Sequence, residues 1–274
     1  MRPLDNFIQK IAQKPIFHKE FFAKMESFPE LEYTDVEDLK MLQLLGLPIV
    51  KYTDHALSLA TTTQSIVDQK FCIVDIETNG SKPTLHQIIE IGAVMVKNGR
   101  VIGEFNSLAY TDILPDSIHQ LTGITLAELE KAPPLKSVLA DFRLFLQDAV
   151  FVAHNVNFDY YFISYAMEKA GFGPLLNRRL CTIDLARKTL NSPKYGLSAL
   201  TEHLNIPFEH HHRALWDAKA TALVFARSLE NVPQEVITTE ALIAFSKPTQ
   251  QKKKEKKMAK PLQTPSLFSK DTLT

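Results

Sequence analysis

The chemistry of this chain starts in the stretch Phe71-Cys72-Ile73-Val74-Asp75-Ile76-Glu77-Thr78-Asn79-Gly80. An apolar, β-branched run closed by Asn-Gly reads as a strand entering a turn. Side chains alternate along a strand, so Asp75 and Glu77 project on the same side and can close on one cation. Buried bare, two such carboxylates suffer desolvation and mutual repulsion, which protonation or a metal ion relieves. An acidic pair at a strand end is therefore a candidate metal site, although the same residues also suit the solvated face of an edge strand. Further candidates lie downstream. Asp159 follows His154-Asn155 at the start of a helix, where Phe158 and Phe162, four apart, are expected to anchor that helix in the core. His212 lies in a loop before Arg213-Ala214-Leu215-Trp216, with Asp217 on the helix that follows. Taken singly, Asp159 and Asp217 are also what the first turn of any helix favours, because acids suit the positive end of the helix dipole.

The elements that must position these residues follow from periodicity. Ile88–Val96 and Val101–Phe105, joined through Asn98-Gly99, predict a hairpin with a type I′ turn. A short helix is expected within 112–125. Leu135, Val138, Leu139, Phe142, Phe145 and Leu146 predict a helix after Pro133-Pro134. Ala149–Ala153 is a fourth, buried strand, and Leu180–Asp184 reads as a fifth. Helices are expected over 197–204 and 213–230. A hairpin first, then strands and helices in alternation, predicts an α/β fold with a mixed five-stranded sheet flanked by helices. Residues 69–231 form this domain. Residues 1–68 form a small, mainly helical extension. Helices followed by a strand pair allow a winged-helix-like unit there, but a docking or packing extension is the preferred expectation.

Composition narrows the class. Of 274 residues, 31 are Lys or Arg and 31 are Asp or Glu, so a nucleic-acid partner must meet a local basic patch rather than overall charge. The two cysteines, Cys72 and Cys181, fall in apparent core strands and suit a reducing compartment. No run approaches the length of a membrane span and no secretory leader is visible, so a cytoplasmic protein without a membrane partner is expected. Residues 232–274 are expected to be a flexible basic tail. It carries Lys252, Lys253, Lys254, Lys256, Lys257 and Lys260 and ends in Gln263-Thr264-Pro265-Ser266-Leu267-Phe268, whose apolar pair in a polar context reads as a short docking peptide.

Three blocks, Asp75-x-Glu77, His154-Asn155-x-x-Phe158-Asp159 and His212-x-Ala214-x-x-Asp217-Ala218, resemble in order and spacing the motifs of the DEDD superfamily of 3′–5′ exonucleases, histidine subgroup. Among its members they look most like the proofreading epsilon subunit of bacterial DNA polymerase III. Leu121-Thr122-Gly123-Ile124-Thr125 is similar to that family as well. The resemblance covers about residues 69 to 231 and implies an RNase H-like fold that removes nucleotides from single-stranded DNA 3′ ends in proofreading or repair. It implies two divalent cations, and oxygen-only ligands favour Mg²⁺ or Mn²⁺. By the family's pattern Asp75 would bridge both ions. Glu77 and Asp217 would hold the ion that binds the attacking water, and Asp159 would support the other. His212 would take the water's proton, a task suited to an imidazole that titrates near neutral pH. Thr78, Asn79, His154 and Asn155 are candidate substrate contacts, with ordinary turn chemistry as the alternative for Thr78 and Asn79. Asp184 reads as a structural cap, and Trp216 as a core residue in preference to a base-stacking one. Gln263, Leu267 and Phe268 resemble sliding-clamp-binding peptides, and a replicative polymerase is a further expected partner. An exoribonuclease acting in tRNA trimming or oligoribonucleotide turnover, and a non-catalytic replication adaptor, are the competing readings.

Overall fold

The computed structural model describes residues 2–207 and 212–248. The amino-terminal part runs α1 (Pro3–Ile11), β1 (Ile16–Phe17), α2 (His18–Glu26), α3 (Leu39–Leu44), β2 (Ile49–Thr53) and β3 (Ala56–Leu59). Its antiparallel sheet has the order β1-β3-β2, and Leu4, Phe7, Phe21, Met25, Leu42, Leu57 and Leu59 close a core that Leu176 of the larger part joins.

The larger part begins with β4 (Phe71–Thr78), β5 (Ile88–Lys97) and β6 (Arg100–Leu108). It continues through α4 (Asp116–Thr122), α5 (Leu126–Leu129), α6 (Leu135–Leu146), β7 (Val150–Ala153), α7 (Val156–Lys169), β8 (Arg179–Cys181), α8 (Thr182–Thr189), α9 (Leu197–His203), α10 (Ala214–Leu229) and α11 (Thr239–Ser246). The sheet order is β6-β5-β4-β7-β8, so the acid-bearing β4 is central; β5 runs antiparallel to it and β7 parallel. The expected mixed five-stranded α/β sheet is therefore present.

Alternation along β4 divides its residues between two layers. Cys72, Val74 and Ile76 share a core with Val138 and Phe142 of α6 and Ile163 of α7. Phe71 and Ile73 pack with Ala218 and Phe225 of α10 and with Leu242 and Ile243 of α11. The α10 face of β4 is thus apolar up to Ile73 and turns acidic at Asp75 and Glu77.

Two expectations change. The fifth strand ends at Cys181, and Thr182, Ile183 and Asp184 belong to α8, where Asp184 pairs with Arg187 at 3.4 Å. The body of the protein also extends past 231, because α11 buries Leu242 and Ile243 and sends the carboxylate of Glu240 inward to accept from Arg178 Nε at 3.0 Å and Thr61 Oγ1 at 3.1 Å. The lysine run and Gln263, Leu267 and Phe268 lie outside the described residues.

The two parts are fastened by charged and polar contacts. Asp5 meets Arg179 at 3.4 Å, Arg2 meets Glu168 at 3.0 Å, and Arg143 donates to the carbonyls of Leu45, Phe172, Gly173 and Pro174.

Candidate active site

β7 pairs with β4 as far as Ile73↔Val152 and then ends at Ala153, while β4 runs on to Thr78. Ile76 lies beyond that pairing, and its backbone N–H donates to Asp159 Oδ1 at 3.2 Å. A buried amide needs a partner. Here the partner is a carboxylate from the first turn of α7, which ties Asp159 directly to the acidic end of β4. Asp159 is buried, whereas Phe158 is 36% exposed and lies against Phe162 at the surface, so only Phe162 anchors the helix in the core as expected.

On the other layer, Gly92 of β5 lies opposite Asp75. A methyl group there would come within 2.1 Å of the Leu215 nitrogen and 2.2 Å of the Ala214 carbonyl carbon. Only glycine lets the start of α10 approach the sheet this closely, and that approach brings in Asp217. Glu77, His212 and Asp217 each offer a ligand atom, all within 4.8 Å of one another. Asp217 Oδ1 is buried with no hydrogen-bond partner among the described residues.

The carboxylates perturb one another. Burial, reinforced by Asp159, Asp217 and Glu77, holds Asp75 protonated well above the usual carboxylate range. Burial raises Glu77 to about 8, with Asp217 and Glu90 adding to the shift and Arg213 opposing it. Asp159 is pushed up to about 8 by burial, against the pull of the Ile76 amide. Asp217 rises to about 6 by burial, against the His212 backbone N–H. Four acids that resist ionising together, with one oxygen unpartnered among the described residues, make a donor set that fits a hard divalent cation: positive charge would offset their repulsion and engage that oxygen.

The other expected contacts divide. Thr78 Oγ1 donates to the Gly80 carbonyl at 2.8 Å. Asn79 uses both ends of its amide inside the fold, accepting from Gln87 N at 2.8 Å and donating to the Ile113 carbonyl at 3.1 Å. His154 is likewise engaged at both nitrogens, Nδ1 with Thr182 Oγ1 at 2.9 Å and Nε2 with the Tyr195 carbonyl at 3.0 Å. Its pKa falls to about 4, chiefly through burial. These three side chains are therefore engaged within the fold. Asn155 is exposed at the head of α7 in a left-handed conformation, φ 79°. Trp216, preferred as a core residue from sequence, is 48% exposed, with Lys219 Nζ 5.3 Å from its ring.

Two residues of the site went unremarked in the sequence reading. Glu90 and Gly92 lie in a run of otherwise apolar β5 residues. An acid and a glycine in the middle of a buried strand are the available signals, since each demands a specific neighbour.

At the end of its central strand the open mixed sheet gathers four carboxylates, and His212, just before α10, joins Glu77 and Asp217 in a group that could hold a divalent metal ion. Residues 72–225, more than half of the chain, match the model of the RNase T family, described as exonuclease, and the chain belongs to that exonuclease family as a nuclease. It is 36% identical to the DNA polymerase III PolC-type of Staphylococcus haemolyticus (strain JCSC1435) over 197 residues, covering 70% of this chain and 13% of that one. Against the Staphylococcus aureus protein of the same name it is 36% identical over 186 residues, 66% of this chain and again 13% of the relative. The chain thus spans about an eighth of the length of these relatives. In fold it is similar to E. coli exonuclease I in complex with a dT13 oligonucleotide, with TM-score 0.54, 22% identity, and coverage of 60% of this chain and 41% of that one. It is also similar to the cell-death related nuclease CRN-4, with TM-score 0.52, 16% identity, and coverage of 60% and 64%. Among the described residues no helix is long and apolar enough to cross a membrane.

Proposed function

We propose that this chain is a 3′–5′ exodeoxyribonuclease that shortens single-stranded DNA ends in the cytoplasm, in proofreading or repair. The observation that carries the reading is the buried Asp217 Oδ1, without a hydrogen-bond partner among the described residues and set with Glu77 and His212 inside a 4.8 Å cluster, with Asp75 and Asp159 close enough to interact. Asp75, Glu77, Asp159 and Asp217 would hold two divalent cations, Mg²⁺ or Mn²⁺. Bound there, such ions supply the activation of water and the neutralisation of phosphate charge that phosphodiester hydrolysis requires.

The chain's own residues do the rest. His212, exposed at the rim, takes the proton from the attacking water. The Ile76 amide holds Asp159 in place, and the close approach at Gly92 holds Asp217. Phe158 and Trp216, exposed beside Asp159 and Asp217, offer flat surfaces for bases of a single strand. Exonuclease I is described bound to an oligonucleotide, and the PolC-type relatives are described as polymerases; these descriptions support a DNA end as substrate and a polymerase as partner. We extend the proposal to a sliding clamp met by Gln263, Leu267 and Phe268. No retention of purified clamp by a peptide of residues 260–274, under conditions that retain a known ligand, removes that part.

Digestion of a labelled primer, paired and mispaired at its 3′ end, tests the enzyme reading. Wild-type protein in Mg²⁺ should release mononucleotides, and EDTA or Asp75→Ala should stop it. Metal-independent digestion, or full activity in Asp75→Ala, would sink the proposal. A matched RNA oligonucleotide degraded faster than the DNA would move the substrate to RNA.

A further inference from the structure

Glu90 is a carboxylate that the proposed chemistry does not use. It is 1% exposed and lies directly across the strand pair from Glu77, where two like charges side by side are unfavourable. Its oxygens are instead taken up by the two residues that follow His212. Oε2 accepts from the Ala214 backbone N–H at 3.0 Å and from Arg213 Nε at 3.2 Å, and Oε1 accepts from Arg213 Nη2 at 3.1 Å. The bond to Ala214 caps the first turn of α10, the turn that carries Asp217. The fork on Arg213 is a two-point grip, which fixes orientation as well as distance.

What the grip restrains is a strained turn. His212 has φ 62°, a left-handed conformation that a residue with a side chain keeps only when its surroundings over-determine it. His212 is exposed, and the anchors of the segment begin immediately after it, at the half-buried Arg213 and the buried Ala214. Gly92, two residues beyond Glu90 on the same face of β5, receives the helix start itself. One strand therefore supplies both the seat and the clasp for the segment 212–217.

We propose that the Glu90–Arg213 pair is a positioning device that holds His212 at its working angle beside Glu77 and Asp217. This rests on the reading of His212 as the base. It assigns to Arg213 a role through the protein rather than on the substrate. Holding a catalytic group within a fraction of an ångström matters, since a displacement of about 1 Å can reduce turnover by about 10²-fold.

The test uses the full chain with Mn²⁺ and a single-stranded oligonucleotide, and compares Arg213→Ala and Glu90→Gln with wild type. Arg213→Ala should lower kcat by about 10- to 100-fold while KM stays within about twofold. Glu90→Gln preserves shape and one acceptor, and should move kcat in the same direction by less. In a His212→Ala background, Arg213→Ala should cost nothing further, because a device that works through the imidazole has nothing left to position. In the metal-free protein, the ring resonance identified by its loss in His212→Ala should shift in Arg213→Ala, a readout independent of turnover. Wild-type kcat in both variants would overturn the inference. So would a raised KM with kcat retained, which would place the guanidinium on the substrate, or an undiminished loss in the His212→Ala background. Full turnover by His212→Ala itself would overturn the base assignment, and the positioning role of the Glu90–Arg213 pair with it; the other failures leave that assignment standing.

Discussion

Replacing Asp159 by asparagine should make the metal-free protein more stable while abolishing the function its carboxylate serves. Asp159 is 4% exposed and is raised by burial from the ordinary range to about 8. A carboxylate with a higher pKa folded than unfolded binds its proton more tightly in the folded state. Stability therefore falls as pH rises from about 4 through about 8, and the full penalty is present only above the folded value. At 1.36 kcal/mol per unit, a four-unit difference bounds the penalty at about 5 kcal/mol. Protonation of Asp75 or Glu77 relieves part of the same repulsion, so a single substitution should recover about 2–3 kcal/mol at pH 8. Asparagine keeps the shape and an oxygen that can accept the Ile76 N–H, now without the charge. For a chain of this size the gain corresponds to a rise in Tm of about 5–10 °C in EDTA at pH 8, against almost none at pH 5. Mg²⁺ should reverse the ranking by stabilising wild type more than the variant. Scanning calorimetry at the two pH values, with and without EDTA, measures each term. An Asp159→Asn protein that melts below wild type in EDTA at pH 8, or a wild type whose metal-free Tm is flat between pH 5 and 8, would refute the picture of an acid cluster held together against its own charge.

Gly92→Ala should be destabilised by about 1–3 kcal/mol, because its methyl group meets backbone of α10 at 2.1–2.2 Å and the helix must move. Isothermal titration should show weaker Mn²⁺ binding as Asp217 withdraws; unchanged affinity would mean the helix start does not set the site. His212→Ala should lose about 10²- to 10⁴-fold in kcat while retaining single-stranded DNA in a mobility-shift assay. Loss of DNA binding in step with kcat would assign the ring to the substrate instead.

The acids were legible because their chemistry is local. Asp75 and Glu77 stand out within ten residues of apolar strand, and the family-like order adds Asp159, His212 and Asp217. What fixes them in place was not legible, because it is distant in sequence: Glu90 finds Arg213 and Ala214 across more than 120 residues, and nothing in a linear pattern says which buried acid will meet which amide. Local signals also misled where two structures share a vocabulary. Thr182 and Ile183 are β-branched and follow a strand, yet they begin α8 once β8 has ended at Cys181. The run Glu240-Ala241-Leu242-Ile243-Ala244-Phe245 is short, follows Pro233 and precedes a lysine tract, so it passed for tail. Its helical character becomes clear only from the surfaces it fills, the apolar layer around Phe71 and Phe225 on one side and the Arg178 guanidinium on the other. Trp216 was assigned inward by residue type, whereas the helix turns it to the rim to leave the inner position to Asp217.

The Arg178–Glu240 contact bears on where this protein can be cut. Its guanidinium heads the last strand of the sheet, its carboxylate comes from the final described helix, and Thr61 of the amino-terminal part donates to the same acid. A fragment trimmed to residues 72–225 would keep Arg178 but lose both Glu240 and Thr61, stranding an interior cation. The segment that must fold together is accordingly expected to be larger than residues 72–225, with both flanks serving as keystones of an arch whose crown is the acidic strand β4.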